Sequence, residues 1–364
     1  MRRILIIFLV MIMMVNCQSK KEFKRSELET IIRFTTEDIP PPTQLNGRKL
    51  NFQEFLNPRH ILFLDNHLVV AQNANLETDL FYLYDLENDS FIGSIGKKGF
   101  GPGEMVQSTG MEPGFSEGEF FTFDGNRRTL NFYNIHGADT TKLTQKQLKT
   151  PTNLNFTTQI SLTSPSSYLV KTAQTWDKLA EINLEEDTLK TIGTWNNMVE
   201  NEKLSPLTVS LICQGPLTTS NDKTLVGITG VLKDFFEIFN IHTVKRLYIQ
   251  GPVNQDPKFQ LHHYNKTTYP VFDDPLTTYY TQLYLQEEYF FALYVGQNTD
   301  SDDALTSNPQ LFQFDYEGNF INNFQLDYPI LSFSMDSKNG ILYGITRDQN
   351  PNVAIFDLSK HLSL

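Results

Sequence analysis

"YDLENDSFIGSIGKKGFGPGEM", residues 84–105, joins two patterns end to end, and the fold turns on how they are read together. The first, "YDLENDSF", is an apolar residue, an Asp, a second apolar residue and then a polar run. An Asx side chain at the end of a strand accepts a hydrogen bond from the backbone two residues on and starts a tight turn. The alternating residues before it bury one face of that strand. The second pattern, "SIGKKGFGPGEM", has four glycines and two lysines in twelve positions. Such a stretch is either a phosphate cradle or a turn between strands.

The first pattern recurs along the chain. It returns as "YNIHGADT" at Tyr133, "INLEEDTL" at Ile182, "FNIHTVKR" at Phe239, "FDYEGNFI" at Phe314 and "FDLSKHLS" at Phe356, so the Asx residues are 85, 134, 183, 240, 315 and 357. Upstream of most copies lies a second hairpin pattern, such as "ILFLDNHLVVA" or "NGILYGITR", with a turn-forming centre and a short apolar strand after it. The second unit, around "SEGEFFTFDG", is the least regular. Units of about four short strands repeated six times predict an all-β fold, a six-bladed β-propeller with four-stranded blades around a central channel. A pair of β-sandwiches is the competing architecture, but it gives no reason for six equivalent Asx turns. In this frame "FIGSIG" is the outer strand of the first blade, and the glycine cluster runs from it to the next blade. The cluster lacks the Gly-Lys-Ser/Thr ending of a P-loop and no helix pattern follows it. Pro102 and Gly103 supply a turn, and a structural connector is expected.

"IGKKGFGPGEM" resembles the "IGxxGxGPGEF" stretch of the TolB-like, six-bladed propeller lipoproteins of Bacteroidetes. The resemblance implies a propeller on an outer-membrane tether and carries no established activity.

The start of the chain agrees with export. "MRRILIIFLVMIMMVNCQSK" has two arginines, an apolar run from residue 4 to 15 and a cysteine at 17. That run is too short to span a bilayer as a helix and reads as a secretory signal. Cys17 directly after it resembles a lipobox, which implies acylation there. Met14 and Asn16 depart from the usual lipobox residues. The expected organisation is a lipoprotein signal peptide at 1–16, a polar tether at 17–26 and the propeller at 27–364. The expected location is the cell envelope, lipid-anchored and at the outer membrane. The other cysteine, Cys213, has no partner for a disulfide and is expected to be a buried, inert thiol.

Closure poses a problem, because after Asp357 only "LSKHLSL" remains, too little for a fourth strand in the last blade. An open edge there would template aggregation. The β-prone N-terminal stretch "ELETIIRFTT", residues 27–36, is expected to complete blade six, with "IPPPTQ" leading away from it because prolines do not fit a central strand.

The formal charge of -12 disfavours nucleic acid as a partner. Loops between strands two and three share one face with the blade-to-blade connectors. That face is expected to carry Asp124, Arg127, Arg128, Trp176, Asp177, Lys178, Lys233, Arg347 and Asp348. Two long excursions join them, 251–275 with His262 and Tyr264, and 296–309. Arg, Trp and Tyr on loops above a rigid scaffold suit a protein, peptide or glycan ligand. The chain has no HExxH, GxSxG or CxxC motif. Adjacent His262 and His263 point to opposite sides of a strand and make a poor chelating pair. "TDSDDAL", residues 299–305, lacks the glycine of an EF-hand loop. No cofactor signature is present. The alternative to a binding module is a calcium-assisted hydrolase, since lactonase-type propellers hold calcium with Glu, Asn and Asp near the axis.

Overall fold

A computed structural model describes residues 22–54, 57–73, 78–136, 143–150, 159–183, 185, 188–200, 204–265, 267–298 and 308–362. Six antiparallel sheets follow one another in chain order. Blade one is Pro58–Leu64, His67–Gln72, Asp79–Asp85 and Ser90–Lys97. Blade two is Glu112–Pro113, Glu119–Asp124, Thr129–Asn134 and Lys146–Lys149. Blade three is Gln159–Ser164, Ser167–Lys171, Asp177–Asn183 and Thr188–Thr194. Blade four is Leu217–Thr219, Leu225–Thr229, Phe235–Asn240 and Arg246–Gln250. Blade five is Thr277–Leu285, Tyr289–Asn298, Gln310–Asp315 and Phe320–Leu326. Blade six has Ile330–Asp336, Ile341–Thr346 and Val353–Asp357 from its own unit. The irregular second unit has an innermost strand of only two residues.

All six Asx residues end the third strand of their blade, and each accepts a backbone N–H of the turn that follows. Asp85 Oδ1 takes Glu87 N at 2.8 Å, Asn134 takes His136 N at 2.9 Å and Asn183 takes Glu185 N at 2.9 Å. Asn240 takes Thr243 N at 2.9 Å, Asp315 takes Asn319 N at 2.7 Å and Asp357 takes Ser359 N at 2.9 Å.

The apolar core is a set of layers between successive blades rather than one central mass. Phe81 and Phe120 sit between blades one and two, Phe121 and Val170 between two and three, and Leu169 and Phe239 between three and four. Phe236 and Phe290 lie between four and five, Phe291 and Phe333 between five and six. Tyr343 and Ile345 of blade six pack with Ile61, Leu68 and Tyr84 of blade one, which closes the ring. A further cluster, with Trp195 and Ile212 of the helix Pro206–Ile212, lies against Phe235 and Tyr248 of blade four. Alternation puts one residue of each pair into each neighbouring layer, so both faces of a blade must be apolar.

The glycine stretch is the connector from blade one to blade two, and its lysines face no phosphate cradle. Glu104 turns back so that Gly101 N donates to its Oε2 at 2.8 Å, and Lys97 Nζ lies 3.1 Å from its Oε1. Arg127 Nη1 donates to the carbonyls of Gly101 and Glu104, both at 2.7 Å. The chain's own carboxylate therefore occupies the glycine nest, and a Cβ on Gly99 would lie 2.1 Å from Glu104 Oε2. Gly103 has φ +73°, in the left-handed region. Gly103→Val is expected to lower stability by about 1–3 kcal/mol, whereas Lys97→Ala breaks one exposed ion pair and should cost less than about 1 kcal/mol. Urea melts of the two variants check this; equal losses would mean that loop geometry is not what the glycines supply.

N-terminal strands extend blades four and five and complete blade six, but not in the way expected. Residues 27–36 do not close blade six. Glu29–Arg33 runs parallel to the outer strand of blade four, Ile31 opposite Tyr248 and Ile32 opposite Ile249. Glu22–Arg25, read from the sequence as the end of a tether, pairs antiparallel with it. Past the prolines, Thr43–Leu45 runs parallel to the outer strand of blade five. Blade six then receives Arg48–Lys49, antiparallel to Val353–Asp357. The reason lies in side chains. Ile32 and Phe34 are buried in the layer between blades four and five, where Phe34 meets Phe320 edge-on at 5.1 Å. At blade six the two-residue bridge is followed by Leu50, which is buried with Tyr343, Ile345 and Val353.

Candidate functional site

The innermost strands of the blades surround a channel of about 1120 Å³. Its upper mouth lies on the face of the blade connectors and the loops between strands two and three. Arg59, Lys98, Gln107 and Arg347 line that end. Asp65, Glu112 and Asp336 line the lower end, on the face of the turns between strands one and two. Between them, hydroxyl and amide side chains, including Gln159, Thr281, Gln282, Ser332 and Ser334, alternate with apolar ones such as Leu62, Met111 and Leu331. Part of this lining knits the ring together. Gln282 bonds both backbone groups of Phe333, at 2.7 and 3.0 Å, and Ser334 Oγ accepts Phe63 N at 2.9 Å. Thr281 Oγ1 and Gln159 Oε1 are buried in the wall and have no hydrogen-bond partner among the described residues.

The carboxylates of the lower end are committed to the fold. Glu112 Oε2 accepts Ser161 Oγ and Thr219 Oγ1, both at 2.6 Å, and Lys223 Nζ at 3.2 Å. That one carboxylate ties blades two, three and four, and the buried ammonium of Lys223 rests over Phe121 at 5.4 Å. Asp336 accepts Lys338 N at 3.1 Å and Asn339 Nδ2 at 2.6 Å. Asp65 accepts Gly118 N at 2.8 Å. At the upper end, burial and the Arg59 charge push His60 down to about 4, so it is neutral at pH 7.

Of the residues singled out from the sequence, only Arg347 lines the channel. Asp124 is a buried turn residue whose oxygens accept Asn126 N at 2.9 Å, Arg127 N at 3.1 Å and Val106 N at 2.6 Å. Arg127 grips the connector, and Arg128 sits at φ 55° with its carbonyl accepting Thr150 N at 3.0 Å. Trp176 is 40% exposed and its carbonyl accepts Trp195 N at 2.8 Å. Asp177 accepts the Thr175 hydroxyl at 3.4 Å. Lys178 is fully buried, paired with Glu237 and stacked over Trp195 at 4.7 Å. Lys233 pairs with Asp256, and Asp348 with Lys49 at 2.7 Å. His262 and Tyr264 lie on a hairpin, Phe259–Tyr264 with Thr267–Phe272, inserted between blades four and five. That hairpin is the first long excursion; 299–307 of the second, and Cys17, lie outside the described residues. These positions are thus dispersed, most of them holding loops or blades together.

The profile of a family described as TolB-like 6-blade propeller-like matches residues 42–338. The chain belongs to the TolB-like six-blade propeller family. A Bacteroides fragilis NCTC 9343 protein described as exported shares the fold, with a TM-score of 0.53 at 13% identity over 90% of this chain and 99% of that one. A member of the DUF4221 family from Bacteroides vulgatus ATCC 8482 gives a TM-score of 0.56 at 11% identity, over 87% of this chain and 96% of that one. No curated protein matches the sequence.

A calcium-assisted reaction in a TolB-like propeller needs oxygen donors that converge on one point. Among the described residues no group of three or more His, Cys, Asp or Glu could hold a metal ion. Glu112 and Asp336 belong to different blades and are already hydrogen-bonded to their own surroundings. Cys213 is buried near Lys171 and Lys233, and burial pushes its thiol up to about 11, which leaves it protonated and unreactive.

Proposed function

We propose that this TolB-like propeller is an envelope binding module. It takes the end of a peptide or glycan into the upper mouth of its channel and is held to the membrane by a lipid on Cys17. The channel carries the reading. Its volume of about 1120 Å³ is that of a large small-ligand site, and its wall sets amides and hydroxyls such as Gln282, Thr281 and Ser332 among apolar side chains. Ligands of many hydroxyls or peptide groups match such a wall. The loop face, by contrast, has its cations engaged with the protein itself. Gln107 is exposed at the upper mouth, so Gln107→Trp obstructs entry without disturbing the core. Ligands found on peptide and glycan arrays are expected to bind the folded variant at least tenfold more weakly, about 1.4 kcal/mol. Unchanged binding would place the site elsewhere.

The tether rests on the short apolar segment ending at Cys17, and export is in keeping with the description of the Bacteroides fragilis neighbour. Cys17→Ala is expected to abolish incorporation of radiolabelled palmitate and to move the protein from the membrane to the soluble envelope fraction. Retention of label in the variant would rule the anchor out at this position.

A further inference from the structure

We infer that the ligand carries an acidic group, and that the guanidinium groups of Arg59 and Arg347 receive it at the upper mouth. This rests on the channel reading above. The chain has a net charge of -12, yet the charged residues lining this mouth are cationic: Arg59, Arg347 and, on the rim, Lys98. The carboxylates of the channel all lie toward the opposite end and are engaged there. Several cations elsewhere in the ring have acidic partners, as Lys178 has Glu237, Lys223 has Glu112 and Arg246 has both Glu237 and Glu29, while Lys171 bonds the Gly215 carbonyl and Lys338 stands at the lower rim. Arg59 and Arg347 have no carboxylate partner among the described residues.

Arg59 is also oriented. With the Asn73 carboxamide turned so that its oxygen faces the guanidinium, it accepts Arg59 Nε at 2.8 Å and Nη2 at 3.0 Å. A neutral amide fixes the direction of the fork without cancelling its charge. Arg347 follows the second strand of blade six, where its N–H is bonded to Pro329 O at 2.6 Å. Blades six and one are neighbours across the closure of the ring, so the two arginines approach the mouth from adjacent walls. His60, beside Arg59, is neutral and adds no competing titration near pH 7. Two planar forks at the mouth suit a carboxylate or a phosphoryl group, each of which accepts bidentate bonds. The shaft behind them holds the polar body of the ligand.

Calorimetric titration of the mature protein with citrate, inorganic phosphate and maltotriose tests this. Saturable binding of at least one of the two anions is expected, weakened at least tenfold in Arg59→Gln/Arg347→Gln and largely retained in Arg59→Lys/Arg347→Lys, with thermal melts confirming that each variant is folded. Binding of citrate alone assigns a carboxylate ligand, and of phosphate alone a phosphoryl ligand. Absence of saturable binding for both anions, or binding that the double Gln variant leaves unchanged, overturns the inference. If maltotriose then binds and Gln107→Trp abolishes it, the channel still stands as the site; anion binding untouched by Gln107→Trp would count against the channel itself.

Discussion

A chain that begins at Thr36 is expected to be several kcal/mol less stable than one that begins at Glu22, and a chain that begins at Asn51 is expected not to fold cooperatively. The shorter deletion removes Ile32 and Phe34 from the layer between blades four and five. Full burial of each such side chain contributes about 1.5–3 kcal/mol. It also exposes the outer strand of blade four along the ladder from Arg246 to Gln250, and takes Glu29 from Arg246. Against a typical domain stability of about 5–15 kcal/mol, the sum is a large fraction. The longer deletion strips blades five and six as well, leaving three neighbouring sheet edges open to association. Thermal melts and size-exclusion chromatography measure both effects. Hydrogen exchange locates the first: the Thr36 chain should lose protection at Arg246–Gln250, not at Val353–Asp357. Loss confined to blade six, or a melt identical to that of the intact chain, would contradict the strand assignment.

Glu237→Leu is expected to cost about 3–5 kcal/mol, the usual penalty for leaving buried charge unpaired. Glu237 and Lys178 have no exposed surface, and Glu237 also accepts Arg246 Nε at 2.9 Å. Burial raises the Glu237 carboxyl, but Lys178 and Arg246 more than offset it and hold it below the usual carboxylate range. Lys178 is drawn down by burial, in part against the pull of Glu237. Removing Glu237 leaves Lys178 buried with no anion and Arg246 with Glu29 alone. Lys178→Met together with Glu237→Leu removes one charge of each sign and should recover much of the loss. The coupling measured in a double-mutant cycle by urea denaturation checks this, and additive losses would mean that the pair does not act as a unit.

The architecture was legible because its signal is local and repeated. An Asx turn needs only the residue and the two or three after it, so Asp85 or Asn240 declares itself in any window of eight residues. The glycine connector was legible for the same reason, although the part played by Glu104 needed the loop to be seen closed on itself. Closure was half legible. Residues 27–36 announce a strand, but their partner is fixed by where Ile32 and Phe34 find an apolar seat, and that seat is built from residues more than two hundred positions away. Arg48–Lys49 is too short and too polar to announce anything. The channel was hidden by the same logic. Thr281 and Gln282 sit in "TTYYTQLYL" as minor interruptions of an aromatic strand, and only the ring brings them level with Ser332 and Arg59. Conversely, Lys178 and Lys233 carry the right chemistry for a loop face, but a cation's sequence position does not reveal the acid that folding brings to it, Glu237 across a blade boundary for the first and Asp256 in the following connector for the second.

The strand Glu22–Arg25 also sets an orientation. Glu22 lies opposite Arg33, which lies opposite Gln250, the residue from which the connector of the upper face departs. The pairing therefore hands the chain out at the upper rim of blade four. Only four residues separate Cys17 from that strand, a leash of at most about 18 Å from Cys17 to Glu22 at the reach of an extended chain. With a lipid on Cys17, the propeller could not tumble freely below its anchor. It would hang by one shoulder with the cationic mouth turned toward the headgroups and the opposite face toward the aqueous compartment. Traffic into the channel would then pass through a slot a few water layers high, and lengthening the leash would change which molecules can reach it without altering a single residue of the wall.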